Sequence, residues 1–166
     1  TVVLAMVGIY NGLVGDALAV VRAPAADIWV VEAGTQGPFA EASRLPADTR
    51  DAVARMPGVA AAGAITYQTV EAEARGRLMR LYVIGIEPGR PGAPTRVAEG
   101  RGLGTSHFEL LADRKTGLAP GDTLRLGRDR FTVVGLVEEA MNSAGDPAVY
   151  VTLADAMALQ SRLDPA

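Results

Sequence analysis

His107 is the only histidine of the chain, and cysteine is absent. Thiol nucleophiles, disulfide frameworks and cysteine-ligated zinc are excluded together, and a H-E-x-x-H zinc site, which needs two imidazoles on one helix face, goes with them. A histidine-based triad would require Ser106 or a distant serine to converge on His107. No G-x-S-x-G elbow frames any serine, so His107 reads as a surface or strand-start residue. Carboxylates at Asp27, Glu32, Glu71, Glu73, Asp122, Glu138, Glu139 and Asp146 are the remaining reactive groups. Glycosidic chemistry needs two of them in one cleft, a convergence that spacing alone does not dictate. Glu138, Glu139, Asn142 and Asp146 offer oxygens of the kind calcium takes, but without EF-hand spacing, and the stretch reads as polar loop. There is no G-x-x-x-x-G-K-[ST] to cradle phosphates, so any ATP hydrolysis must occur elsewhere. Gly100, Gly102 and Gly104 follow a loop and miss the spacing of a dinucleotide fingerprint. The expectation is a domain without catalytic site, cofactor or metal.

The elements that would position these groups are built from an ordinary globular composition. Of 166 residues, 49% are hydrophobic and 21% charged, enough for a core without staples. With aromatics at 5%, that core must rest on Val, Leu, Ile and Ala. A net charge of -3 provides no basic field for counterion release from a polyanion, which argues against nucleic acid as a partner.

Thr1 to Val21 holds no basic residue and one acid, Asp16. Its wholly apolar run ends near Tyr10, short of the roughly 20 residues a spanning helix needs, and the positive n-region of a signal peptide is missing. Val3, Met6, Tyr10 and Leu13 recur at helical spacing and would face a partner helix. Gly8 and Gly12 would allow close approach. Residues 1–22 are expected to be the outer end of a transmembrane helix continuing as a stalk, and Thr1 reads as the start of an excised piece.

Further on, Asp27 to Glu32 (DIWVVE) reads as a strand and Leu45 to Met56 as a helix closed by Pro57-Gly58. Val59 to Ala74 and Leu78 to Ile86 read as a hairpin around Arg75-Gly76-Arg77. Glu87 to Thr105 is loop, and Phe108 to Asp113 a short strand. Thr123 to Leu126 with Phe131 to Val137 forms a second hairpin. Ala148 to Val151 is a last strand, and Thr152 with Asp155 makes a capping-box start to a helix through Leu163. Met141, Asn142 and Asp146 belong to a polar loop expected to contact a partner. The fold class is α+β with two lobes. A βαββ-type lobe comes from both chain ends (23–87 and 148–166), and a smaller β-rich lobe is inserted between them (88–147).

Leu110 to Val137 resembles the corresponding segment of the periplasmic core domains of FtsX-type ABC transporter permeases, the MacB-like fold. The matching residues are Gly117, Leu118, Gly121 and Asp122 of a G-L-x-x-G-D turn, then Phe131, Val133, Val134 and Gly135 of an F-x-V-V-G strand. Other pieces follow in family order: DIWVVEAG after the first membrane helix, Met56-Pro57-Gly58-Val59 at a helix end, Val83 to Ile86 before the insertion, and Val149 to Leu153 on the return. The ADIWVVEAGTQGPF stretch is similar to permeases of the DevC type, associated with lipid-like export. The insertion, roughly Pro88 to Val137, is short beside that of tripartite efflux members. The resemblance implies a non-catalytic periplasmic domain of an inner-membrane permease with four membrane helices. It implies a homodimer with a second permease copy, an ABC ATPase subunit as partner, a periplasmic adaptor, and lipid-like or peptide cargo. Its role there would be to transmit conformational change across the membrane. The alternative is a secreted small-ligand-binding domain whose first segment packs into its own core; a hydrolase using paired carboxylates is a more distant rival.

Overall fold

The alternation of small and branched residues in 65–86 produces a hairpin, as expected. β1 (Ile65–Ala74) and β2 (Arg77–Ile86) pair antiparallel from Ile65 opposite Ile86 to Ala74 opposite Arg77. The turn places Arg75 at φ 51° and Gly76 at φ 71°, the two positive dihedrals a type I′ hairpin requires. This computed structural model describes residues 26–35, 43–138 and 145–163.

After β2 the chain crosses a long loop containing the two-residue β3 (Glu99–Gly100), then forms β4 (Glu109–Asp113) and a single 3₁₀ turn at Arg114–Thr116. β5 (Thr123–Leu126) and β6 (Asp129–Val137) make the second expected hairpin, antiparallel from Thr123 opposite Thr132 to Leu126 opposite Asp129. β7 (Ala148–Thr152) leads directly into a helix at Leu153–Leu163. The only other α-helix among the described residues, α1, is Thr49–Ala54, which makes the C-terminal helix α2.

One seven-stranded sheet takes up every strand among the described residues, in the order β3-β6-β4-β7-β2-β1-β5, with β5 also paired to β6. That last pairing closes six strands into a ring. β2 with β7 and β4 with β6 run parallel, and the other neighbours antiparallel. The ring encloses Leu81, Val83, Leu110, Leu124, Leu126, Phe131, Val133 and Val149. α2 contributes Ala156 and Leu159 to the same core. It can approach β2 closely because Gly85 has no side chain: a Cβ there would lie 2.4 Å from Ala156 Cβ and 2.5 Å from Thr66 Oγ1. A second apolar layer, Ile84, Ile86, Leu111, Val137, Ala148 and Tyr150, lies on the outer face of the sheet.

Two expectations are corrected. Asp27 to Glu32 is not a strand; a strand needs a hydrogen-bonding neighbour, and none lies beside it among the described strands. The helix expected over Leu45 to Met56 shrinks to six residues, and it buries none of them; a helix without a packed face has little beyond propensity to hold it. The division into two lobes is not confirmed, because β1, β2 and β7, assigned to one lobe, share a continuous sheet with β4, β5 and β6, assigned to the other. The stalk at 1–22 lies outside the described residues. No helix among the described residues is long and apolar enough to cross a membrane.

Candidate functional site

The start of α2 is tied to the start of β4 by a polar knot. Thr152 precedes the helix, and its Oγ1 accepts the Asp155 N–H at 3.2 Å, the first half of the expected capping box. The reciprocal half is diverted. The Asp155 carboxylate, buried at the helix start where the dipole favours an anion, turns to the loop before β4. There Oδ2 accepts the Phe108 N–H at 3.0 Å, and Oδ1 lies 2.8 Å from His107 Nδ1. Phe108 sits at φ 60°, a conformation unusual for a bulky side chain, and packs edge-on against Phe131 with ring centroids 5.5 Å apart. Its backbone is held there on both sides, the N–H by that carboxylate and the carbonyl by the Thr132 N–H at 2.8 Å. His107 keeps 65% of its side chain exposed, so its Nε2 is not enclosed by the knot.

Beside the knot lies a cleft of about 260 Å³, lined by His107, Phe108, Asp129, Ala154, Ala158 and Arg162. Arg162, in the last turn of α2, pairs with Asp129 at the start of β6. The helix is thus fastened to the sheet at both ends, and through Gln68 Nε2, which donates to Ala156 O at 3.0 Å, near its middle.

On the outer face, Tyr67 of β1, Ile84 of β2 and Tyr150 of β7 form one row across three strands. Tyr82 stacks on Tyr67 with centroids 5.5 Å apart and planes 10° from parallel. Burial, reinforced by Tyr82 and Tyr150, holds the Tyr67 phenol well above its usual range. Burial with the neighbouring Tyr150 pushes Tyr82 up to about 12. Tyr150 is pushed up to about 12 by burial and by Asp113. These phenols stay neutral at physiological pH and act as amphipathic wall residues.

The residues expected to make contacts are only partly placed. Val3, Met6, Tyr10, Leu13, Met141 and Asn142 lie outside the described residues. Asp146 stands just before β7, where its carboxylate is 3.4 Å from Arg80 Nε. The carboxylates left open as a catalytic pair have other partners: Asp122 binds Arg75 and Glu138 binds Arg114, while Glu32 accepts the Arg44 N–H. Glu71 and Glu73 project from exposed positions of β1. The knot at Asp155 was half visible in sequence as a capping signal. Its union with His107, 48 residues earlier, left no local trace.

The G-L-x-x-G-D turn has a physical account. Asp122 Oδ2 accepts the Ala119 N–H at 2.7 Å, Gly121 N–H donates to Val133 O at 2.8 Å, and Leu118 is buried in the ring. Gly135 of the F-x-V-V-G strand leaves room for β3, since a Cβ there would lie 2.4 Å from Arg101 O. The family described as the MacB-like periplasmic core domain matches residues 1–165. The chain belongs to this family.

Curated relatives agree. An uncharacterized ABC transporter permease of Mycobacterium tuberculosis is 33% identical over 150 residues, covering 90% of this chain and 42% of the relative. One of Mycobacterium bovis is 30% identical over 149 residues, with the same coverage. The chain therefore spans about two-fifths of the length of these relatives. Among solved structures, the periplasmic region of MacB from Actinobacillus actinomycetemcomitans aligns with a TM-score of 0.55 at 15% identity, over 69% of this chain and 58% of that one. The extracellular domain of the noncanonic ABC-type transporter YknZ from Gram-positive bacteria aligns with a TM-score of 0.57 at 16% identity, over 72% and 67%. At these identities the two structures establish a shared fold. This MacB-like domain is an extracytoplasmic domain of an ABC transporter permease.

Proposed function

We propose that this MacB-like domain couples ATP hydrolysis on the cytoplasmic side to conformational change and to engagement of substrate or adaptor outside the membrane. The observation that carries the reading is the family match across residues 1–165. It favours a permease domain over a free secreted binding domain. The architecture is suited to such a role: a closed ring of hydrogen-bonded strands moves as a unit, and α2, tied down at both ends, would pass displacement into it.

In this reading residues 1–22 form the stalk, with Val3, Met6, Tyr10 and Leu13 against a partner helix. Met141, Asn142 and Asp146 form the contact loop, and the domain itself is non-catalytic. The whole protein would be a homodimer of a permease with four membrane helices, driven by an ABC ATPase subunit. It would engage a periplasmic adaptor and lipid-like or peptide cargo, as in DevC-type efflux. The test is affinity purification of the full-length permease from native membranes. Recovery of a nucleotide-binding ABC subunit, separate or fused, supports the reading, and a domain found free and complete outside the membrane overturns it.

A further inference from the structure

Ala154, Ala158 and Arg162 follow one another at intervals of four along α2, which puts them on one face of the helix. That face lines the cleft of about 260 Å³, together with Phe108 and Phe131. Ala154 and Ala158 are exposed, and their methyl groups leave the space a longer side chain would take. Phe108, held at its positive φ from both sides, keeps 45% of its surface exposed. A cavity of roughly 150 Å³ takes a benzene ring. The cleft is therefore large enough for one long side chain and too small for a secondary-structure element.

Its polar atoms favour a cation. Asp155 accepts the Phe108 N–H with Oδ2, and its Oδ1 needs a donor, which His107 Nδ1 supplies at 2.8 Å. In the neutral imidazole the proton then sits on Nδ1 and Nε2 is an acceptor. Arg162 bonds Oδ2 of Asp129, so Oδ1 keeps its acceptor capacity, and the Asp129 side chain is 29% exposed. Among the lining residues two carboxylates face one guanidinium, leaving one negative charge in excess while His107 is neutral. The Phe108 ring adds a π surface that attracts a positive charge.

We infer that this cleft receives a lysine or arginine side chain of a polypeptide partner outside the membrane. The methylene stem would lie on Ala154, Ala158 and Phe108, as long basic side chains cover apolar surface, and the charged head would donate to Asp129 Oδ1 and His107 Nε2. A bare inorganic cation makes no use of the apolar floor. The exposure of Phe108 and His107 leaves room at the mouth for the backbone that carries the side chain. This rests on the engagement of substrate or adaptor proposed above and names the chemistry of one contact.

The test is fluorescence anisotropy on the full-length permease in nanodiscs of phosphatidylcholine, whose neutral surface does not capture basic peptides. The probe is a labelled peptide of alternating glycine and lysine, compared with versions carrying norleucine or glutamate in place of lysine. The lysine peptide is expected to bind more tightly than either, by about tenfold, the worth of one charge-assisted hydrogen bond. Ala158→Leu, an exposed helix position where leucine is a good helix former, fills the cleft and should cost a similar factor. Asp129→Asn should do the same, whereas Glu71→Gln, which removes an equal charge from the exposed face of β1, should leave binding unchanged. Equal binding of the lysine and norleucine peptides, or lysine-peptide binding indifferent to Ala158→Leu, overturns the inference. Tighter binding of the glutamate peptide overturns it too, since Arg162 would then lead. Free n-butylamine binding as well as the peptide excludes a polypeptide as the occupant. Peptide binding is scored without nucleotide, so it bears on this cleft alone, and failure of an ABC subunit to co-purify counts against the coupling reading.

Discussion

At the scale of single residues, Asp155 and the tyrosine row set the clearest expectations. Replacing Asp155 by Ala removes the acceptor for the Phe108 N–H and the partner of His107. A hydrogen bond to a charged acceptor contributes about 1.5–3 kcal/mol, and a loss of that order is expected in urea unfolding of Asp155→Ala. His107→Ala removes a side chain that is mostly in water and is expected to cost less than about 1 kcal/mol. The ordering of the two variants is the measurement that checks the knot. The tyrosines make the pH dependence legible. Tyr82 and Tyr150 have their folded pKa raised from 10.0 to about 12, so the folded state retains protons that the unfolded chain releases. Their contribution is complete below pH 10 and is lost as pH climbs toward 12. Tyrosinate absorbance should therefore appear at higher pH in the folded protein than in denaturant, together with a fall in stability across that window. Coincident titration curves would contradict the burial described here.

At the scale of elements, packing decides what local pattern leaves open. α2 is held because Ala156 and Leu159 enter the ring, and Gly85 makes that approach sterically feasible. Gly85→Ala is expected to cost about 1–3 kcal/mol through overpacking, read as a lowered thermal midpoint with faster hydrogen exchange in α2 than in the β4–β6 core. Uniform change across the sheet would mean that Gly85 does not act through the helix. The elements that formed as the sequence indicated, the two hairpins and α2, combine a local start signal with a buried face. α1 and the DIWVVE stretch have the pattern without a buried face. In this chain, period and propensity describe what a segment can become, and burial determines whether it does.

At the scale of the whole molecule, closure of the ring through β5 makes β1, β5 and β6 interdependent. If the domain transmits movement as a unit, the contact loop and the coupling path should be separable. Alanine at Met141 and Asn142 in the full-length permease is expected to weaken transport while sparing ATP hydrolysis by the associated subunit. An equal loss of both would assign that loop to the coupling path. The family match covers nearly the whole chain, yet the relatives are more than twice as long. The transport assay therefore belongs in the full-length protein.

The sequence by itself determined the class of molecule. Without cysteine, with one histidine and with no phosphate loop, it removed the common chemistries. The G-L-x-x-G-D turn and F-x-V-V-G strand pointed to the family before any geometry. Those features are local: a turn needs specific residues at adjacent positions, and a hairpin needs alternation on both sides of it. Only the tertiary structure decided the parallel pairing of β2 with β7, the closure of β5 onto β1, and the meeting of Asp155 with His107. Each joins segments far apart in the chain, where loop closure sets the cost and shared burial the gain, and neither quantity is written in the spacing of neighbouring residues.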